Sequence, residues 1–497
     1  MKDKKDLDQK PNLDAQPAET IKPLQLENHK PKSRRDFLAQ GFLGMSAIAF
    51  APSIFDMIAG RAHGAVEGCT AAVFSSLTPV IIIDLAGGGN IAGSNVMVGG
   101  QGGQMDFLPS YTTLGLPSQF NPQVTGVNSD MGLAFHPQSQ MLQGIFNSSS
   151  AMTRSKVEGT IFCSVSDDDT GNNQHNPIYW LNKAGARGQL NQLAGTQQSP
   201  SGGNSQAPTS SINPTVAPVR LQSNQDAINL VNLGTTISSF SADKIQRILG
   251  TMASMSERKI ASISRRSLPD QIKTVLGCGY STTGEQISKF TQNALNPAMD
   301  ANVTAAMAGI TNTGLRARVA PIAKLTLDGM IGVGTITLGG YDYHTGNRAD
   351  GDAKDLELGQ VVGSIMELAA RKGKDIIIYV FSDGGVASNQ TPDANANGKL
   401  SWGGDSGNRS STFMMVYKNA GKASIRGNRQ VGYFKSSSQT VEPAALLTSN
   451  SVVNTSKAMV ANYLALHGLE GQLENVVGDN PFINDGLDKY LVFNKSF

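Results

Sequence analysis

The 497-residue sequence predicts an α/β protein, a three-layer α/β/α sandwich on a mostly parallel sheet. Three observations carry that expectation. Short apolar runs rich in β-branched residues recur along the chain, an amphipathic helix separates two of them, and most of the runs end in a polar cluster containing aspartate. The runs are Val80–Leu85, Thr160–Val165, Ile331–Leu338, Ile376–Phe381 and Thr412–Tyr417. Apolar runs of this length without alternation suit strands buried on both faces. Between the third and the fourth, Leu358, Val361, Val362, Ile365, Leu368 and Ala369 follow the i, i+3, i+4, i+7 spacing of one helix face. Asp352 or Asp355 is expected to cap that helix, and Gly373 to stop it after Arg371 and Lys372. A strand–helix–strand unit of this kind implies a right-handed parallel crossover. A closing helix is expected over Ser456–Leu466, ending at His467-Gly468.

Composition narrows the function classes. Only 16% of residues are charged and the formal net charge is +2, so no field drives the chain onto nucleic acid or an anionic membrane. Glycine, at 54 residues, is above its usual share, as in exported proteins rich in polar loops. Cys69, Cys163 and Cys278 lack metal-ligand spacing. Cys163 reads as core, and a Cys69–Cys278 disulfide is open in an oxidising compartment.

Residues 1–65 read as a twin-arginine signal peptide. A polar, lysine-rich start leads to Ser33-Arg34-Arg35-Asp36-Phe37-Leu38, a mildly apolar run from Phe42 to Ile58, and a small-residue stretch over 59–65. Gly41, Gly44 and Pro52 interrupt the apolar run, which falls short of the ~20 clean residues a membrane span needs. The expected partner during export is therefore the twin-arginine translocase. The mature chain, 66–497, is expected in the periplasm or outside the cell, with no stable membrane span after cleavage. Within it, 191–219 is expected as a flexible Ser/Gln/Pro-rich surface loop and 224–327 as a helical insertion. The latter carries a basic stretch near Arg258–Arg266, read as a solvated helix face.

The strand ends carry the chemistry. Val80–Ile83 runs into Asp84, and Thr160–Val165 into Asp167-Asp168-Asp169-Thr170 and then His175. Ile331–Leu338 runs into Asp342 and His344, and Ile376–Phe381 into Asp383. In a parallel sheet all carboxyl ends lie along one edge, where α/β proteins bind ligands. Oxygen and imidazole groups gathered there from separate strands are what a divalent metal requires. Gly87-Gly88-Gly89-Asn90-Ile91-Ala92 superficially matches a dinucleotide fingerprint, but further glycines follow where a helix should open. His136 and His467 read as structural.

In the order Gly339-Gly340-Tyr341-Asp342-Tyr343-His344, Val380-Phe381-Ser382-Asp383-Gly384 and Trp402-Gly403-Gly404-Asp405, the chain resembles an uncharacterised bacterial family. That family is exported by the twin-arginine route and is related to alkaline phosphatases and sulfatases. Gly132–Pro137, Asn173-Gln174-His175 and the closing helix extend the likeness from about Pro79 to the C-terminus. The resemblance implies an alkaline-phosphatase-like fold with one or two divalent metals (zinc, manganese, magnesium or calcium) held at strand ends. By position Asp342, His344 and Asp383 would be ligands, with Asp84 and Asp405 as further candidates, and Thr170 and His175 would serve catalysis.

Three departures accompany the likeness. Ile91 stands where the family has a loop aspartate, Gln174 where it has a serine before the histidine, and Ser406 where it has a histidine after the aspartate. Two readings follow. One is a metal-dependent hydrolase of phosphate or sulfate esters. The other is a catalytically degenerate relative that binds an anionic small molecule, glycan or envelope polymer. Neither involves nucleic acid.

Overall fold

The computed structural model describes residues 76–166, 171–230, 247, 291–343 and 346–497. The expected signal peptide, Cys69, Cys278, Asp167–Asp169, Thr170, His344 and the basic stretch 258–266 lie outside the described residues.

The core is an eight-stranded sheet made of β1 (Val80–Leu85), β2 (Val157–Cys163), β3 (Asn191–Gly195), β4 (Val219–Arg220), β5 (Ile331–Leu338), β6 (Ile376–Ser382), β9 (Ser411–Tyr417) and β10 (Gln430–Val431). Between the last of the central parallel strands and the antiparallel one, β7 (Val386–Pro392) and β8 (Leu400–Asp405) form a separate two-stranded arm. The sheet order is β10-β2-β9-β6-β1-β5-β3-β4. Strands β6, β1, β5, β3 and β4 are mutually parallel, and β9 runs antiparallel to both of its neighbours. β1, β5 and β6 are buried along their whole length, as continuous apolar runs flanked on both faces should be.

Helices cover both faces. On one lie α1 (Gln140–Ser148), α4 (Thr313–Leu327) and α5 (Arg348–Lys372), packed with Ile81, Ile83, Phe413 and Met415. α3 (Ala301–Met307) joins the same core. On the other lie α2 (Ile178–Ala184) and α6 (Val452–Leu466), packed with Val80, Ile82, Tyr379 and Phe381. The architecture is thus an α/β sandwich with a mostly parallel central sheet. Among the described residues no helix is long and apolar enough to cross a membrane.

The long helix starts earlier than expected. Asn347, not Asp352 or Asp355, is its N-cap, accepting the Asp350 N–H. Asp352 and Asp355 fall inside the helix, Asp352 bonded to Arg348 one turn earlier and to Lys399, Asp355 to Asn95 and Tyr343. Gly373 closes the helix in the left-handed conformation, φ 61°, as the sequence indicates. α1 and α5 approach at backbone distance. A Cβ on Gly359 would lie 2.0 Å from the Met141 carbonyl oxygen and 2.9 Å from the Gly144 Cα.

The Ser/Gln/Pro-rich segment begins with β3 and reaches β4, extending the sheet past β5. Between them its own hydroxyls tie the turn together. Ser199 Oγ donates to the Gly203 carbonyl and Ser201 Oγ to the Ser205 carbonyl, both at 2.6 Å. Serine and glycine here act as turn formers bonded to nearby backbone. Of the expected insertion, α4 packs directly on β5 as part of the core layer: the Ile322 side chain fills the space over Gly334.

Candidate functional site at the sheet edge

The carboxyl ends of β1 and β6 are neighbours, and each supplies an aspartate. Asp84 sits in β1 opposite Phe381, and the Asp383 N–H, just past β6, donates to the Leu85 carbonyl at 2.9 Å. Both carboxylates are fully buried. Asp84 Oδ2 accepts the backbone N–H groups of Asn204 (2.5 Å) and Ser205 (2.9 Å), and Asp84 Oδ1 the Ser205 hydroxyl (3.2 Å). The Thr337 hydroxyl, from β5, lies 3.4 Å from Oδ2. Asp383 accepts the Asn173 amide on Oδ1 (3.3 Å) and the Asn204 amide on Oδ2 (2.6 Å). Asn204, whose amide bonds Asp383, is itself exposed.

The approach of the Ser/Gly turn is close by necessity. A Cβ on Gly203 would stand 2.7 Å from Asp84 Oδ2. The electrostatics follow from this enclosure. Burial pushes the Asp84 carboxyl up to about 6 against the pull of its N–H donors. Burial and the neighbouring Asp84 charge push Asp383 up to about 7. Two acids side by side in a dry site resist double ionisation, and a shared proton or a cation relieves them.

His175 flanks the same edge. Its ring stacks on Phe381 with centroids 5.2 Å apart, and Nε2 lies 3.4 Å from the Ser166 hydroxyl. Its carbonyl accepts the Ser456 hydroxyl from the first turns of α6, which fixes the backbone. Burial pushes the imidazole down to about 3, so it is neutral, and Nδ1 has no hydrogen-bond partner among the described residues. His136 is structural: Nδ1 accepts the Gln138 N–H at 3.0 Å and Nε2 donates to the Phe120 carbonyl at 2.8 Å.

Asp342 and Asp405 occupy different surroundings. Both are exposed, Asp342 beside Gly87 in the turn after β5 and Asp405 at the foot of the β7–β8 arm opposite Val386. The tyrosines around Asp342 are anchors. Tyr341 and Tyr343 are buried, Tyr343 stacks on Trp402, and its hydroxyl donates to Asp355 at 2.8 Å. Arg348 lies over the opposite partner of that stack, 4.4 Å from the Trp402 ring centre. Among the described residues no three His, Cys, Asp or Glu side chains gather as a metal-binding group.

Sequence reasoning found both acids of the pair and His175 but missed Asn173, Asn204, Ser205 and Thr337. Asn173 stood in a recognisably polar cluster. Asn204 and Ser205 carried no signal, because their role comes from a turn docking on a strand 120 residues away.

The donor set tests whether a divalent cation suits the place. Two carboxylates, two amides and the Ser205 and Thr337 hydroxyls are hard oxygen ligands once the amides turn their oxygens inward. They fit magnesium, manganese or calcium better than zinc. Comparison with protein-family models and with curated proteins finds no match to this chain.

Proposed function

We propose that this chain is an exported alkaline-phosphatase/sulfatase-like protein and a divalent-metal-dependent hydrolase of phosphate or sulfate esters. The observation that carries the reading is the buried Asp84–Asp383 pair at the carboxyl ends of adjacent parallel strands, both acids held above the ordinary carboxylate range. A divalent cation bound there supplies neutralisation of the charge on an oxyanion ester. The chain's own groups do the rest. Asn173 and Asn204 fix the Asp383 carboxylate, and the Gly203–Ser205 turn orients Asp84 and keeps water from it. His175 stays neutral because burial opposes its protonation, and its Nδ1 has no hydrogen-bond partner among the described residues. Thr170 stands as the candidate nucleophile from the sequence.

Elemental analysis of protein prepared without chelators, beside an Asp84→Asn, Asp383→Asn variant, tests this. About one equivalent of magnesium, manganese or calcium, lost in the variant along with aryl phosphate or aryl sulfate turnover, is the expected result. No metal in either protein overturns the hydrolase.

A second reading, a catalytically degenerate protein that binds an anionic glycan or envelope polymer, has its own support. The hydroxyls described beside the pair, Ser205, Thr337 and Ser382, are all buried, and Ser382 accepts the Gly89 N–H at 2.7 Å. Under this reading no ester is turned over, and a sulfated or phosphorylated polymer is retained by the wild-type chain.

A further inference from the structure

Asp383 is not held in place by its own stretch of chain. Gly384 and Gly385 follow it, and glycine restrains the backbone least. The segment 382–386 is fixed from outside instead. The loop leaving β1 grips it at both ends: the Gly89 N–H donates to the Ser382 hydroxyl at 2.7 Å, and Asn90 Nδ2 to the Val386 carbonyl at 3.1 Å. Between those two points the Asp383 N–H donates to the Leu85 carbonyl, and the Gly385 carbonyl accepts the Ser406 N–H at 2.7 Å.

Asn90 is in turn held from the helix layer. Asn95 Nδ2 donates to the Asn90 carbonyl at 3.0 Å and to Asp355 Oδ2 at 2.7 Å. The hydroxyl of Ser139, the N-cap of α1, donates to Asn95 Oδ1 at 2.9 Å, and the Tyr343 hydroxyl to Asp355 Oδ1 at 2.8 Å. All five side chains are buried. Asp355 precedes Leu358 by three residues and Val362 by seven, so it stands on the face of α5 that otherwise carries apolar side chains into the core. An acid at such a position costs free energy that an apolar residue would not. Its two hydrogen bonds tie α5 to the turn after β5 and, through both N–H groups of one amide, to the loop after β1. A buried polar network that is bonded in this way specifies one arrangement of the segments it joins.

We propose that Asp355, Asn95 and Asn90 are positioning residues that act in series to fix Asp383 at the sheet edge. The proposal rests on the reading above only in naming a cation as what Asp383 serves. Hydrogen–deuterium exchange of the metal-free mature protein in chelator tests it without the metal. Asn90→Ala, Asn95→Ala and Asp355→Ala are each expected to speed exchange at the Asp383 amide roughly tenfold, as loss of one hydrogen bond predicts, while the amides of β5 and β9 keep their wild-type rates. Asp355→Asn is expected to restore slow exchange, because its oxygen still accepts from Asn95 and its N–H meets the Tyr343 hydroxyl, which can accept. Acceleration spread evenly over the sheet, or an unchanged Asp383 amide, refutes the series. So does a response to Asn90→Ala that Asp355→Ala fails to reproduce. Should the alanine variants not fold, native-state exchange of the wild type in sub-denaturing urea decides: 382–386 must open in one step with 90–95 and the Asp355 turn of α5, and separate opening refutes the series. Titration calorimetry with manganese then reads the service to the site. Asn90→Ala is expected to bind it roughly tenfold more weakly, as when an outer partner of a metal ligand is lost, and Asp355→Asn to match the wild type. Wild-type affinity in Asn90→Ala overturns the positioning role. A wild type that takes up no manganese sinks the hydrolase reading, and the exchange result alone then decides the series.

Discussion

Replacing Asp84 with asparagine should make the protein more stable at pH 8 in the presence of chelator. The geometry permits it. Asp84 Oδ2 faces two backbone N–H groups that cannot reorient, and Oδ1 faces only the Ser205 hydroxyl, which can accept as readily as donate. An asparagine therefore keeps its oxygen toward the backbone donors and gives its N–H to Ser205. In the folded chain burial lifts the acid from 3.8 to about 6. A carboxyl with a raised folded-state pKa contributes its full stability below pH ~4, where both states are protonated, and loses it as pH rises through the folded value. The shift corresponds to a penalty of about 3 kcal/mol once the acid is ionised. Asp383, pushed up to about 7 partly by Asp84, extends the window to that pH and gains relief from the same substitution. With an unfolding entropy of about 1 kcal/mol per kelvin for a chain of this size, the gain is about 3 °C in Tm. The assay is thermal unfolding of both proteins from pH 5 to pH 8, read as the difference between the two curves. The difference is needed because Asp355, buried and pushed up to about 6, adds a slope of the same sign to each. The difference should grow with pH and level off above 7. A variant that melts below wild type at pH 8, or a difference independent of pH, refutes the argument.

Three further outcomes follow from the packing. Gly359→Ala drives a Cβ into the Met141 carbonyl and the Gly144 backbone, neither of which can rotate away. It should cost about 3 kcal/mol or more in denaturant unfolding, whereas alanine at the unobstructed Gly471 should cost little. Lys372→Ala opens the square in which Lys372 and Lys324 each contact Asp300 and Asp328, at a cost of about 2 kcal/mol. Burial opposes the Asp300 charge but the lysines outweigh it and hold the carboxyl down to about 2. The square's contribution is thus present above pH ~4 and lost as pH falls toward 2, so wild type and variant should converge in acid. Cys163 is buried in β2 and burial pushes its thiol up, so a thiol reagent at pH 8 should leave it unmodified until denaturant opens the sheet. Prompt labelling of Cys163 in the native protein would contradict the packing.

How much of this was legible in the sequence depends on the kind of signal each feature sends. β1 and β5 could be bounded to the residue because an apolar run buried on both faces stops where the polar edge begins. The helix after β5 could be read on its apolar face but not at its start, since Asp352 and Asp355 look like caps until their partners from distant segments are known. β3, β4 and the turn on Asp84 were hidden, because Ser, Gly and Gln compose a solvated loop and a tightly docked one equally well. The site divided the same way. Strand-end acids announce themselves through position, whereas Asn204 and Ser205 reach the edge through a long excursion. The tyrosines of the Gly339–His344 stretch drew notice as companions of candidate ligands, yet what they do is stack and anchor.

That stack also makes the molecule report on itself. The chain holds two tryptophans, Trp402 in the core layer of α1, α4 and α5, and Trp180 in the layer of α2 and α6. Both are nearly fully buried, and they differ in company. Trp402 lies between Tyr343 at 5.6 Å and the Arg348 guanidinium at 4.4 Å, and Trp180 has Lys457 at 5.9 Å. Each face of the sheet therefore carries one indole with its own quenching environment. Single Trp→Phe variants would turn the two layers into separately observable signals, one of them reporting on the packing of Tyr343 and Arg348. A change confined to the layer of α1, α4 and α5 would register in Trp402 emission while Trp180 stays silent.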